Sequence, residues 1–400
     1  MRHKANISLK LNIRIKHITK GLSAMIKNRY VLILSLLTII SLLVPQTYCR
    51  IGIFNNNDNT PRIIEKYTVP TKDNSSITLT RYYHEDKSPI IFIHGMGCNH
   101  KIYDFDEEHS LARYLNDRDW DVWLLDLRTH DGDGDFSHAI GSDREYIDRY
   151  WDFDNHLLKI DVVTAIDFIK EKTDSNKVFL SGHSYGGYLA YAYSMLIGEK
   201  NLSGIITTGA SPYANPQIFQ DLYKNKMYEY GYYQGDYAYV DPNGKADTHS
   251  NTPRLYFVFY SIIWRFLDHS SSPLFYKETT PYYIQKRCFF IKDDESAGTY
   301  VDMFFGGNPE KYNGDWVDPQ TLYNYSKNLS KITVPILFIA GDEDPQDPKE
   351  DIYRAYENVS SENKEFYSFE GFSHMDLLMG DNADELIFPK IHNFMTLYGN

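Results

Sequence analysis

The chain has 400 residues, room for one large domain with an insertion or for two ordinary ones, and 42% of them are hydrophobic, so a sizeable core is within reach. The net charge of −13 conceals a basic start: residues 1–29 hold eight Lys or Arg and no acid, leaving 33 basic against 54 acidic residues beyond them. So acidic a body is a poor partner for nucleic acid, and the three cysteines (Cys49, Cys98, Cys288) show neither metal-ligand spacing nor the density of a disulfide framework.

In chain order, residues 1–29 are a basic tail. Residues 30–48 follow as an apolar segment, with Tyr30 to Val44 uncharged and closed by Pro45. Spanning a bilayer takes about 20 residues, a length that the uncharged Gln46 to Tyr48 would supply. The segment reads as a transmembrane signal-anchor or a signal peptide, and the long basic leader favours the anchor. The positive-inside rule then keeps the leader cytoplasmic and puts the body outside, membrane-anchored or secreted. Residues 49–61, rich in Asn, are a linker, and Cys49 is an ordinary thiol because Gln-Thr-Tyr before it lacks the small residues of a lipidation site.

From residue 62 strands and helices alternate. Ile77 to Tyr83 has strand periodicity, and Pro89 to Ile93 is a short apolar run of the kind a buried strand shows. His94-Gly-Met-Gly97 follows it directly, where glycines permit a tight turn that aims N–H groups at a developing oxyanion, so Met96 N–H is expected there together with Tyr185 N–H. A helix is predicted over Tyr103 to Leu115 and a strand over Asp121 to Leu127. Asp131-Gly-Asp-Gly-Asp135 resembles a calcium loop, but its sixth and twelfth positions hold Phe136 and Ser142, so it reads as a solvated turn and no metal is expected. A helix over Asp154 to Lys172, with Leu157, Leu158, Val162, Ala165, Ile166 and Ile169 on one stripe, leads to the strand opening at Val178.

That strand ends in Gly182-His-Ser184-Tyr-Gly186. A serine hydroxyl is a weak nucleophile unless a sharp strand-to-helix turn exposes it to a base and to free N–H groups, and glycines two residues either side are what such a turn needs. A helix over Tyr188 to Ile197 and a strand over Ile205 to Thr208 come next. The alternation predicts an α/β fold, a mostly parallel sheet with helices on both faces, formed by residues 62–211 and 331–400. Between the two parts, residues 212–330 are far longer than an ordinary connection of about 2–6 residues and must fold as an aromatic-rich cap. Within it, Leu255 to Leu267 offers Phe257, Ile262 and Trp264 as residues to line an apolar substrate pocket.

After a strand over Val334 to Ala340 come four acids, Asp342, Glu343, Asp344 and Asp347. A strand near Lys364 to Phe369, the turn Gly371-Phe-Ser with His374, and a helix starting near Asn382 close the chain. A triad needs an acid to orient and stabilise an imidazole and a histidine to take the serine proton, and the order serine, acid, histidine is the one this architecture uses.

These residues resemble an α/β-hydrolase of the acid-lipase type, with likeness also to cholesterol-oxidase-associated hydrolases and polyhydroxyalkanoate-type enzymes, over residues 89–210 and 334–397. The likeness is carried by Asp121-Val-Trp-Leu, Tyr150-Trp-Asp-Phe153, Lys159-Ile-Asp161-Val, Ile166-Asp-Phe-Ile169, Gly341-x-x-Asp344 and His374-Met-Asp376-Leu. The resemblance implies the α/β-hydrolase fold, assigns Asp344 as the triad acid and makes Asp376 either a helix-start residue or a support for the catalytic residues. Two departures stand out: the family's Asn-x-Arg-Gly is here Asp126-Leu-Arg128-Thr, and the cap has no alignable counterpart. A serine counts against a polyester synthase, which resembles this fold but attacks with cysteine. The expectation is a serine hydrolase of carboxylic esters, lipid esters above all, acting through an acyl-enzyme on Ser184 without a cofactor. The alternatives are an acyltransferase or polyester depolymerase on the same site, or a non-catalytic binding protein on a hydrolase fold.

Overall fold

The computed structural model describes residues 62–85, 87–95, 98–128, 153–213, 313–318 and 321–399. The basic tail, the apolar segment and the linker, Met96 with Gly97, the Asp131 to Asp135 loop, Tyr150 and Trp151, and Phe257, Ile262 and Trp264 of the insertion lie outside them. Among the described residues no helix is long and apolar enough to cross a membrane.

Eight strands form one sheet: β1 (Ile64–Pro70), β2 (Ser76–Tyr82), β3 (Pro89–Ile93), β4 (Asp121–Asp126), β5 (Val178–His183), β6 (Leu202–Thr208), β7 (Ile336–Gly341) and β8 (Lys364–Phe369). The spatial order is β1-β2-β4-β3-β5-β6-β7-β8. β1 pairs antiparallel with β2, and β2 with β4; every later pairing is parallel. β3, β4 and β7 can carry continuous apolar runs because helices cover both faces. On one face Ile91, Ile93, Trp123, Leu125, Leu180 and Phe338 are buried with Leu157, Ile166 and Leu189. On the other, Ile90, Phe92, Leu124, Phe179 and Ile339 meet Leu111, Leu115, Leu377, Ile391 and Phe394. Successive strand residues thus serve opposite cores, as a period of two requires.

The helices depart from the sequence expectation in places. The stretch Tyr103 to Leu115 is helical only as α1 (Leu111–Asn116). Side chains upstream compete for the backbone: Asp106 Oδ1 accepts from Glu108 N and His109 N, and Ser110 Oγ caps Arg113 N at 3.0 Å. Phe153–Val162, wound with π-type spacing, runs into α2 (Val163–Thr173) without a cap, because Val162 is itself helical. α3 (Tyr185–Ala192) begins three residues before the predicted Tyr188, directly after Ser184, and widens to a π turn over Tyr193–Ile197. Beyond β7 come α4 (Lys349–Asn358), α5 (Asp376–Met379), α6 (Ala383–Leu386) and α7 (Phe388–Tyr398). β1 and α4 had no counterpart in the sequence expectation.

Candidate active site

Parallel strands place the loops after β5, β7 and β8 along one edge of the sheet, where open α/β sheets bind their ligands. Ser184 sits between β5 and α3 with φ 53° and ψ −121°, a conformation that non-glycine residues avoid and that persists only where the surroundings enforce it. The enforcement is local. Ser184 N donates to Thr208 O at 3.0 Å, and Ser184 O accepts from Gly187 N at 2.8 Å and Tyr188 N at 3.2 Å. A Cβ on Gly182 would lie 2.1 Å from the Gly186 carbonyl carbon, and one on Gly186 would lie 2.1 Å from Ile93 O, so the turn closes only with hydrogens at both places.

Gly95, in the loop after β3, comes so near the serine that a Cβ there would stand 3.3 Å from Ser184 Cβ. Tyr185 opens the helix, its side chain buried and edge-on to Phe153 at 5.5 Å. Its expected partner in the oxyanion hole, Met96, is among the residues not described.

The acid and the histidine meet. Asp344, in the loop after β7, has Oδ2 2.8 Å from Nδ1 of His374, in the loop after β8, and both side chains are buried. A carboxylate can only accept, so Nδ1 carries the proton and Nε2 is left as the basic nitrogen. Asp344 Oδ1 accepts from Gln346 N at 2.9 Å and Asp347 N at 3.1 Å, which fixes the oxygen turned to the imidazole. Of the neighbouring acids, Asp342 pairs with Lys349 at 2.8 Å and Glu343 is exposed. Asp376 opens α5 and accepts from Ser373 N at 2.7 Å, holding the turn that carries His374.

Two further side chains enter the site: His183, to which the sequence had assigned no role, and Asp347, one of the four acids it left open. His183 packs its ring 4.6 Å from that of His374, with Nδ1 3.0 Å from Thr208 O and Nε2 3.3 Å from Met375 Sδ. Asp347 is buried, with Oδ2 3.8 Å from His374 Nδ1 and Oδ1 accepting from Tyr188 OH at 2.8 Å and Ser211 N at 2.7 Å. Burial, and then the like charge of Asp344, push its carboxyl up to about 7 against the opposing pull of His374. In the sequence Asp347 was one of four acids; its partners lie 159 and 136 residues away, so no local spacing could single it out.

Residues 88–381 match the alpha/beta hydrolase fold family, and the chain belongs to it. Among curated proteins it is similar to a poly(3-hydroxyalkanoate) polymerase subunit from Haloarcula marismortui, 21% identical over 76% of this chain and 59% of that protein. It is also similar to the lysosomal acid lipase/cholesteryl ester hydrolase of Homo sapiens, 28% identical over 32% of this chain and 34% of that one. The chain thus spans less than two thirds of either relative. Among solved structures, a thermophilic esterase from Thermogutta terrifontis superposes with a TM-score of 0.53 at 13% identity, over 84% of this chain and all of that one. So low an identity makes that a likeness of fold.

Proposed function

We propose that the protein hydrolyses carboxylic esters through an acyl-enzyme on Ser184. The observation that carries this is the Asp344–His374 pair at 2.8 Å on the sheet edge where the strained turn presents Ser184. In the reaction, His374 Nε2 takes the serine proton as Oγ bonds to the ester carbonyl, and Asp344 stabilises the imidazolium. Tyr185 N–H, and Met96 N–H as the sequence suggests, stabilise the oxyanion. The imidazolium then gives its proton to the departing alcohol, and water repeats the sequence to free the acid and the serine.

Three finer readings accompany this. The substrate is a lipid ester, as the similarity to a cholesteryl ester hydrolase suggests. The cap, residues 212–330, binds its apolar part through Phe257, Ile262 and Trp264. Residues 30–48 hold the enzyme at a membrane with the body outside the cytoplasm. A fluorophosphonate probe should label the wild type and leave Ser184→Ala unlabelled. On an acyl series kcat/KM should rise with length, since each methylene removed from water contributes about 0.8 kcal/mol, and Trp264→Ala should flatten the rise. A labelled Ser184→Ala, or an enzyme fastest on acetate, would sink the mechanism or the lipid reading respectively.

The similarity to a polymerase subunit over 76% of the chain favours one second reading, transfer of the acyl group to an alcohol. Adding a hydroxy-ester acceptor would then divert product from free acid to new ester at unchanged substrate consumption.

A further inference from the structure

Asp347 is a second buried carboxylate facing the same imidazole nitrogen as Asp344, 3.8 Å away against 2.8 Å. It is held from three sides. Tyr188 OH, one turn along α3 from Ser184, donates to its Oδ1; Ser211 N, after β6, donates to the same oxygen; and its own N–H donates to Asp344 Oδ1. Oδ2, the oxygen those bonds leave aside, is the one turned toward His374. A solely structural carboxylate needs no such orientation, and one buried beside another acid is costly to keep.

We infer that Asp347 is a reserve partner for His374: a positioning residue that accepts the Nδ1 proton and stabilises the imidazolium when Asp344 cannot. This rests on the catalytic roles proposed above for Ser184, Asp344 and His374. Closing the gap from Nδ1 to hydrogen-bond distance takes a shift of about 1 Å, within the reach of a small imidazole rotation. No atom beyond the enzyme's own is required, since the proton stays on Nδ1 and only its acceptor changes.

The pH behaviour supports the test. Among the described residues, the titratable groups facing Asp347 are Tyr188 and Tyr191 from α3, His374 from the loop after β8 and Asp344 from its own loop. Replacing Asp344 by Asn removes the like charge that helps hold the Asp347 carboxyl near 7, so the reserve acid ionises more readily when it is needed. Activity of Asp344→Asn then requires a neutral His374 and an ionised Asp347, whose negative charge favours the imidazolium and holds up the acid limb of log(kcat/KM) against pH. With Asp347→Asn added, that charge is gone and the limb should move to lower pH.

The experiment is a double-mutant cycle on a short chromogenic ester, with Ser184→Ala as the reference and a thermal melt of every variant. Expected are a loss within about threefold for Asp347→Asn, of about 10²-fold for Asp344→Asn, and of about 10⁴-fold for the double variant, the fall seen when a triad histidine loses its acid altogether. A double variant no worse than Asp344→Asn, an Asp347→Asn as damaging as Asp344→Asn, or an acid limb in Asp344→Asn that stays in place when Asp347→Asn is added would each overturn the proposal. Should the double variant fail to fold, Asp344→Asn with Asp347→Ser takes its place in the cycle, and the same outcomes decide. If Ser184→Ala keeps wild-type turnover, the triad itself fails, and that outcome is distinct from all of these.

Discussion

Two buried clusters at the same edge of the sheet have the same make-up, one basic side chain and two carboxylates, and opposite characters. Just beyond β4, Arg128 Nε reaches both Asp161 oxygens at 3.0 Å, Nη2 reaches Asp161 at 2.6 Å, the backbone N reaches it at 3.2 Å, and Nη1 holds Asp73 at 2.6 Å. Beyond β7 and β8, His374 makes one bond of 2.8 Å to Asp344 and stands 3.8 Å from Asp347. A guanidinium never gives up its proton and fills its acceptors' lone pairs with a rigid fork, so the first cluster has one charge state. The Asp347 carboxyl, pushed up to about 7 first by burial, changes charge near neutrality, so the second has more than one. Saturated charge ties the β1–β2 turn and the π-wound segment to the sheet; unsaturated, titrating charge is what the proposed reaction uses.

The contrast breaks most visibly if the second cluster can be damaged without losing rate. Ser184→Ala and His374→Ala should each lower kcat by about 10⁴-fold or more, to similar floors, because the residues act as a unit. The urea unfolding midpoint of Ser184→Ala should move little. The first cluster should answer the other way. Arg128→Met leaves Asp161 buried and unpaired and should destabilise the fold by about 3–5 kcal/mol, while the folded fraction keeps its kcat. A variant that melts like the wild type but has lost its rate would reverse the assignment of roles. Arg128→Lys sharpens it: the charge survives and the fork does not, so a loss of about 1–3 kcal/mol is expected in the same unfolding experiment.

Much of this was legible in the sequence where the determinants are local. Pro89 to Ile93 was predicted to the residue because a buried parallel strand needs a continuous apolar run. The turn at Ser184 announced itself through Gly182 and Gly186, whose missing side chains are a steric requirement inside five residues. β1 was missed because an edge strand buries little: its Ile64, Lys66 and Thr68 are part of an exposed or half-exposed row that looks like loop. The helix over Tyr103 to Leu115 was overextended because apolar spacing does not reveal that Asp106 will take two backbone N–H groups for itself. Which acid of the β7 loop faces His374 is a tertiary matter. The resemblance to acid lipases named Asp344, while Asp347 has its partners on α3 and after β6, beyond any local pattern.

The smallest effect expected bears on the cost of keeping the second cluster unsaturated. Asp347 in the folded protein stands near 7, raised first by burial, whereas in the unfolded chain it returns to about 3.9. Between those values the folded state binds the proton and the unfolded state does not. This group's contribution to stability is therefore full below about pH 4 and lost as pH rises toward 7, by up to about 1.4 kcal/mol for each pH unit over which one proton is released. Asparagine keeps an oxygen for Tyr188 and Ser211 and has nothing to ionise. Asp347→Asn should accordingly match the wild type in unfolding free energy near pH 4.5 and exceed it increasingly from pH 5 to 7, the gap levelling off above 7. A gap that stays flat with pH would mean that His374 and Tyr188 neutralise the second carboxylate as completely as Arg128 does Asp161, and the two clusters would then differ in geometry alone.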